Sequence, residues 1–290
     1  MKIGVVLPQT EIGNDPDAIK AYAEAVEGMG FTHILVFDHV LGANPHRPGG
    51  WKGPYTYRHG FHEPFVLFGF LAAATRRVEL VTGIVILPQR QTALVAKQAA
   101  AVDVLSGGRL RLGVAVGWNP VEFEALGEDF TTRGRRIEEQ IEVMRTLWTR
   151  ELVTFNGKQH RISDAGINPL PVQRPIPIWM GGESEVVQRR MARIADGWMP
   201  HFRPGAQAQG VVDRIHGLVR EAGRDPSAFG IEGRMTLSQI PSADWSKELE
   251  AWRAMRGITH LCVHTGALGL AKPTDHVATL RRFREAVGLK

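Results

Sequence analysis

Short apolar runs along the chain are followed, again and again, by stretches whose apolar residues recur every three or four positions. The first run, Ile3–Leu7, reads as a buried strand. Asp15-Pro16 then supplies an N-cap with proline at the first helical position, and Ile19, Tyr22, Ala23 and Val26 share one helix face. The pair of signals returns. Further strands are predicted at His33–Phe37, Val78–Leu87, Arg109–Val116, Ile176–Met180, Gly197–Met199, Ile231–Gln239 and His260–His264. Helices are predicted at Glu63–Thr75, Thr92–Leu105, Glu185–Ile194, Ala206–Ala222, Trp245–Arg256 and Pro273–Val287, with one more presenting Ile137, Ile141, Met144, Leu147 and Trp148 on a single face. Ser106-Gly107-Gly108 ends its helix as glycine does. Asn156-Gly157 predicts a small extra hairpin within Leu152–Arg161.

Strict alternation demands a parallel sheet with helices outside it. Eight strand–helix units fit an α/β single-domain (β/α)8 TIM barrel over residues 1–290, with a long loop after the second strand. An open doubly wound sheet is the rival. Against it, the turn Leu7-Pro8-Gln9-Thr10 has no GxGxxG.

Composition narrows the class. With 43% hydrophobic and 22% charged residues, the chain is globular rather than disordered. Its one cysteine, Cys262, cannot form an internal disulfide or a CxxC metal site, and its apolar neighbours read as a buried thiol. The longest apolar stretch, Phe65–Ala74, falls short of the roughly 20 residues of a membrane span, and the N-terminal run is too short for a signal peptide. A cytoplasmic protein is expected. The net charge is +5, but no run of five basic residues occurs, and Arg133-Gly134-Arg135-Arg136 reads as a solvated helix start. The expected partner is a small-molecule substrate, not nucleic acid or membrane.

Barrel sites form at the C-terminal ends of the strands. Those ends carry Pro8 and Gln9, Asp38 and His39, Pro88 and Gln89, Gly117, Trp118 and Asn119, and Gly181-Gly182-Glu183-Ser184. Pro200-His201, Ser238-Gln239 and His264-Thr265 complete the mouth. The Gly181-Gly182 turn can bring backbone amides to a phosphate, or simply lead into a helix capped by Ser184. Asp38 beside His39 can hold a proton donor in place, or bond nearby amides and nothing else. The stretch Val40–His62, including Trp51, Tyr55 and Tyr57, reads as an aromatic lid or as a mobile insertion. Gly83 within Thr82-Gly83-Ile84 marks either a ligand's close approach or crowding inside the barrel. His39, His46, His59 and His62 lack metal-ligand spacing, so no metal is expected, and no G-x-S-x-G is present.

Chemistry enters through resemblance. Leu80–Pro88, Asp103-Val104-Leu105-Ser106-Gly107-Gly108-Arg109, Leu112–Trp118, Glu122-Phe123, Pro171-Val172-Gln173, Ile178–Gly182 and Ala195–Trp198 together resemble the bacterial luciferase-like monooxygenase superfamily. Within it they are most similar to the coenzyme F420-dependent oxidoreductases. The resemblance implies the same barrel and, as cofactor, either reduced flavin mononucleotide (FMN) or the deazaflavin F420. The ring is expected over Gly83-Ile84, where relatives often carry a non-proline cis peptide. The phosphate is expected at Gly181 and Gly182, with Met199 nearby. His39 matches the histidine near the reactive ring, with Asp38 beside it; these two are the expected catalytic residues. Pro8, Gly117, Trp118, Asn119, Glu183 and Ser184 complete the expected cofactor-binding set.

Deazaflavin glucose-6-phosphate dehydrogenases carry a glutamate after the glycine that ends strand four. Trp118 stands there instead, which points to a more apolar substrate. Arg47, Lys52, Arg58, Arg90 and Arg203 on mouth loops favour F420, with its acidic tail, over FMN. The expected reaction is hydride transfer to or from a small organic molecule. The alternatives are an FMN-dependent monooxygenase inserting oxygen and a flavin-binding protein without catalysis. Relatives are commonly dimers, so a homodimer is expected.

Overall fold

Buried parallel strands need both faces covered, and the alternating helices cover them. The computed structural model describes residues 1–289; Lys290, the last residue of the expected domain, lies outside them. In chain order the strands are β1 (Lys2–Val6), β2 (His33–Val36), β3 (Glu79–Thr82), β4 (Val85–Ile86), β5 (Leu110–Ala115), β6 (Val153–Asn156), β7 (Arg161–Ala165), β8 (Ile178–Gly181), β9 (Gly197–Met199), β10 (Gly230–Thr236) and β11 (His260–His264). The helices are α1 (Pro16–Gly28), α2 (Pro64–Ala74), α3 (Thr92–Ser106), α4 (Pro120–Ala125), α5 (Arg133–Thr149), α6 (Glu185–Ile194), α7 (Ala206–Glu221), α8 (Trp245–Ala254) and α9 (Pro273–Ala286).

The main sheet runs β3-β2-β1-β11-β10-β9-β8-β5-β4, and β3 also pairs with β5, so it closes. Every barrel pairing is parallel, for example Gly4 with Cys262 and Met180 with Trp198. The result is a closed, eight-staved TIM barrel, as the alternation predicts.

Three details differ from the sequence reading. The third stave is not one strand over 78–87: it breaks into β3 and β4 around a cis Gly83–Ile84 peptide. β5 spans the break, pairing Leu80 with Leu110 and Val85 with Val114. Thr82 Oγ1 donates to the Gly113 carbonyl and accepts from the Gly113 amide, filling the gap in the ladder. The hairpin β6–β7 reaches Ala165 rather than closing at Arg161, because its turn is longer than Asn156-Gly157. There the Glu139 carboxylate accepts the amides of Lys158, Gln159 and His160. Helix α4 is extra; six residues are too few for periodicity to show, and its clearest mark is the cap, Asn119 Oδ1 accepting from Val121 N.

Two layers fill the molecule. The larger apolar core lies between staves and helices, with Leu71, Phe68, Ala99, Met144 and Phe283 fully buried. A small cluster of Val6, Leu35, Val81, Trp179, Met199 and Cys262 fills the barrel itself, with Phe37 and Ile84 packed on it. The family-like stretch Asp103–Arg109 serves this framework rather than the mouth. Asp103 is wholly buried and takes the backbone and side-chain N–H groups of Gln173, while Arg109 Nη1 donates to Thr75 Oγ1 and the Val78 carbonyl. No helix among the described residues is long and apolar enough to cross a membrane.

Candidate active site

The strand ends open into a cavity of about 600 Å³, within the range of small-molecule sites. Its floor is apolar, built from Leu35, Ile84 and Met199. Asp38, His39, Gly83, Ile84, Gly117, Trp118, Gly181, Gly182, Glu183 and Met199 all line it, so these predicted residues bring five separate segments of the chain together there. Pro8 and Ser184 do not line it. Pro8 is buried, its carbonyl accepting from Glu11 and Ile12, and Ser184 Oγ caps α6 by accepting from Val187 N. Asn119 is spent on the cap of α4 and lines only a smaller side pocket.

His39 and Asp38 take different partners. Successive side chains of an extended segment point apart. The imidazole is held by Glu122, whose Oε1 lies 3.2 Å from His39 Nδ1. Glu122 is wholly buried and also accepts the amides of Val40 and Leu41. Burial by itself would raise its pKa, but the His39 ring, the Leu41 amide and Gln89 bring it below the usual carboxylate value. A carboxylate only accepts, so Nδ1 is the donor, and Nε2 makes no hydrogen bond among the described residues. In the sequence Glu122 stands out only as a family-like residue; the tie to His39 spans 83 positions and leaves no local signal.

Asp38 braces the framework. Its Oδ1 accepts from Arg90 Nη2 at 2.8 Å and its Oδ2 from the Ile86 amide, fastening the end of β2 to β4 beyond the broken stave. Burial raises the Asp38 pKa, and Arg90 opposes that. Arg90 also donates to Glu63, so it is not one of the free cations expected at the mouth.

Gly181 and Gly182 form another edge of the cavity, at the end of β8. A Cβ on Gly181 would lie 3.5 Å from Ile84 Cγ2 and 3.6 Å from the Ala115 Cβ, in ordinary contact. Any side chain longer than that one carbon would fill the space over Ile84. Gly83 is crowded inside the barrel, where its Cβ would meet Leu35 Cδ2 at 2.3 Å, and it also lines the cavity. Glu183 is turned back, accepting the His201 amide at 2.9 Å.

The loop after β2 does cover His39. Tyr55 and Phe61 each lie 4.9 Å from the imidazole, Trp118 lies 5.7 Å from it, and Trp51 packs on Trp118 at 5.8 Å. Tyr57, expected in this lid, is instead 58% exposed, and Phe61 takes its place.

A layer of charge lies deeper in the barrel, with Glu232 and Cys262 reaching the cavity wall. Glu232 accepts from Arg111 Nη1 at 2.5 Å and faces His33 Nε2 at 2.7 Å, and Arg111 also meets Glu79. Burial would raise the Glu232 pKa, but Arg111 and His33 hold it far below the usual range. His33, Glu232 and Cys262 approach one another as metal ligands could. The Arg111 guanidinium already occupies the Glu232 carboxylate, and burial pushes the Cys262 thiol pKa up, so the cluster has the chemistry of an ion-pair layer.

The family model for luciferase-like monooxygenases matches residues 1–286. The chain belongs to that family. An uncharacterised Mycobacterium bovis protein is 37% identical over 210 residues, covering 70% of this chain and 71% of its own. An FMNH2-dependent dimethylsulfone monooxygenase of Pseudomonas putida is 33% identical over 174 residues, 59% of this chain and 47% of that enzyme. Among solved structures, an F420-dependent secondary alcohol dehydrogenase bound to an F420–acetone adduct superimposes with a TM-score of 0.77 at 18% identity, covering 99% of this family member and 98% of that chain. This family member is thus similar in sequence to an FMNH2-dependent monooxygenase and in fold to an F420-dependent dehydrogenase.

Proposed function

We propose that the protein is an oxidoreductase that uses coenzyme F420 for hydride transfer to or from a small organic substrate. The observation that carries this reading is the convergence of a Glu122-held imidazole and the Gly181 opening on one cavity with an apolar floor at Gly83–Ile84. When bound, the deazaflavin supplies a carbon that gives or receives hydride. Leu35, Ile84 and Met199 offer its ring an apolar bed, and Gly181 and Gly182 admit its phosphate arm. His39 Nε2 donates or removes the substrate proton while Glu122 keeps Nδ1 protonated and the ring fixed. Asp38 acts by position, holding β4 under the cavity. Tyr55, Phe61 and Trp118 keep water from the imidazole.

F420 is preferred over FMN because Lys52, Arg58 and Arg203 are exposed on mouth loops and Arg47 is partly so. They suit an acidic tail even without Arg90. The Pseudomonas relative favours the second reading, an FMN-dependent monooxygenase. Fluorescence-quenching titrations with F420 and with FMN decide between them. Tight F420 binding with weak FMN binding is expected, and the reverse, with substrate-dependent oxygen uptake, rejects the first reading. In the same titrations Gly181→Leu is expected to weaken cofactor binding more than tenfold with little change in melting temperature, because its side chain enters the cavity without striking backbone. Unchanged affinity would remove the cofactor from that edge.

A homodimer forms part of the proposal. Helix α2 is apolar nearly all round, which is expected of a helix covered on every side. Yet Val66 and Phe70, with Leu94 on α3, are exposed. Sedimentation should show two chains per particle, and Val66→Asp/Phe70→Glu should yield monomers; a wild-type monomer would refute this part.

A further inference from the structure

One charge in the cavity makes no ion pair among the described residues. Arg234, the fifth residue of β10, lines the cavity, and its guanidinium lies 5.4 Å from the Phe37 ring centroid. Among the described residues it forms no salt bridge and no side-chain hydrogen bond. Its neighbours differ. Arg90 has Asp38 and Glu63, and Arg111 has Glu232 and Glu79. The Glu232 carboxylate, two positions before Arg234 on the same strand, is taken by Arg111 and His33. The side chain is half-buried, and that burial lowers the Arg234 pKa. Desolvated cations are costly unless an anion joins them.

Position distinguishes this charge from the cofactor's expected phosphate site. In the closed sheet β10 stands four staves from β3 in either direction, so Arg234 faces Gly83–Ile84 across the barrel. It pairs in register with Cys262, two residues below the end of β10, whereas Gly181 and Gly182 sit at the rim two staves away.

We propose that Arg234 selects substrates carrying a carboxylate or sulfonate, whose apolar part lies against Phe37 and Tyr55, within reach of His39. The guanidinium fork matches two oxygens of such a group at once. This deepens the functional reading above and rests on its assignment of the cavity as the reaction site. An anionic part of the cofactor offers the same oxygen chemistry, so the test separates the two sources.

Hexanoate, hexane-1-sulfonate and 1-hexanol serve as probes, titrated by calorimetry into cofactor-loaded and cofactor-free protein. The two anions are expected to bind at least tenfold tighter than the alcohol. Arg234→Met should abolish that preference while leaving 1-hexanol binding and cofactor affinity within about twofold, and Arg234→Lys should restore part of it. Anions binding no tighter than the alcohol, or an unaltered preference in Arg234→Met, would overturn the proposal. So would a tenfold loss of cofactor affinity with the anion preference intact, which assigns Arg234 to the cofactor. If neither cofactor binds wild-type protein, the oxidoreductase reading fails, and the anion preference of the cofactor-free protein still decides the role of Arg234.

Discussion

Replacing His39 by alanine is expected to lower turnover of bound cofactor by about 10²- to 10⁴-fold, the usual contribution of a positioned acid or base. The loss should fall on kcat and kcat/KM together, because the imidazole acts as the proton moves rather than in holding substrate. Folding should be nearly unaffected. The partner left behind, Glu122, keeps the Val40 and Leu41 amides, so no buried carboxylate is orphaned. Steady-state kinetics and a thermal melt on the same preparation read both quantities. A variant with wild-type kcat would remove His39 from the chemistry. Glu122→Gln separates positioning from catalysis. It keeps the shape but offers an amide in place of the charged acceptor, so the pH profile of turnover should move while cofactor affinity stays. An unmoved profile would deny Glu122 that role.

Glu232→Ala is expected to destabilise the fold by about 3–5 kcal/mol, the cost of stranding buried charge. For a chain of this size that is a fall in melting temperature of roughly 6–20 °C. Removing the carboxylate deprives Arg111 Nη1 and His33 Nε2 of their partner, both nearly solvent-free, and leaves Arg111 only Glu79 at 3.3 Å. The effect belongs to the unpaired charge rather than to the worth of the pair. The double variant Glu232→Leu/Arg111→Met should therefore recover most of the loss, since an apolar pair of similar volume often replaces a buried ion pair without penalty. An unchanged melting temperature in Glu232→Ala would mean that these charges are not coupled. A double variant as unstable as the single would mean that the layer is required as such.

The barrel was legible because its causes are local. Alternating apolar runs and helical faces, Pro16 after Asp15 and Gly107 at the end of α3 each act within a few residues, and the structure reproduces their order. What misled did so for local reasons as well. The run Val78–Leu87 reads as one strand, and Gly83 inside it marks a special position without saying that the strand divides there; the pairing of β5 with both halves shows that it does. The family-like residues divide between the site, where Gly83, Trp118, Glu122 and Gly181 stand, and the framework. Asp103 and Arg109 are tied to the far end of the barrel, while Arg234 belonged to no motif.

By itself the sequence determined the eightfold alternation and the segments that end at the barrel mouth, because propensity, capping and periodicity are properties of neighbours along the chain; the family showed only in the resemblance of its motifs. Only the tertiary structure decided that Glu122 and not Asp38 takes the His39 imidazole, that Arg90 is spent on Asp38 while Arg234 is left unmatched, and that Phe61 replaces Tyr57 in the lid. Those outcomes depend on which side chains meet across tens to hundreds of residues, and on which charges burial forces into pairs. Closing the barrel settles both at once.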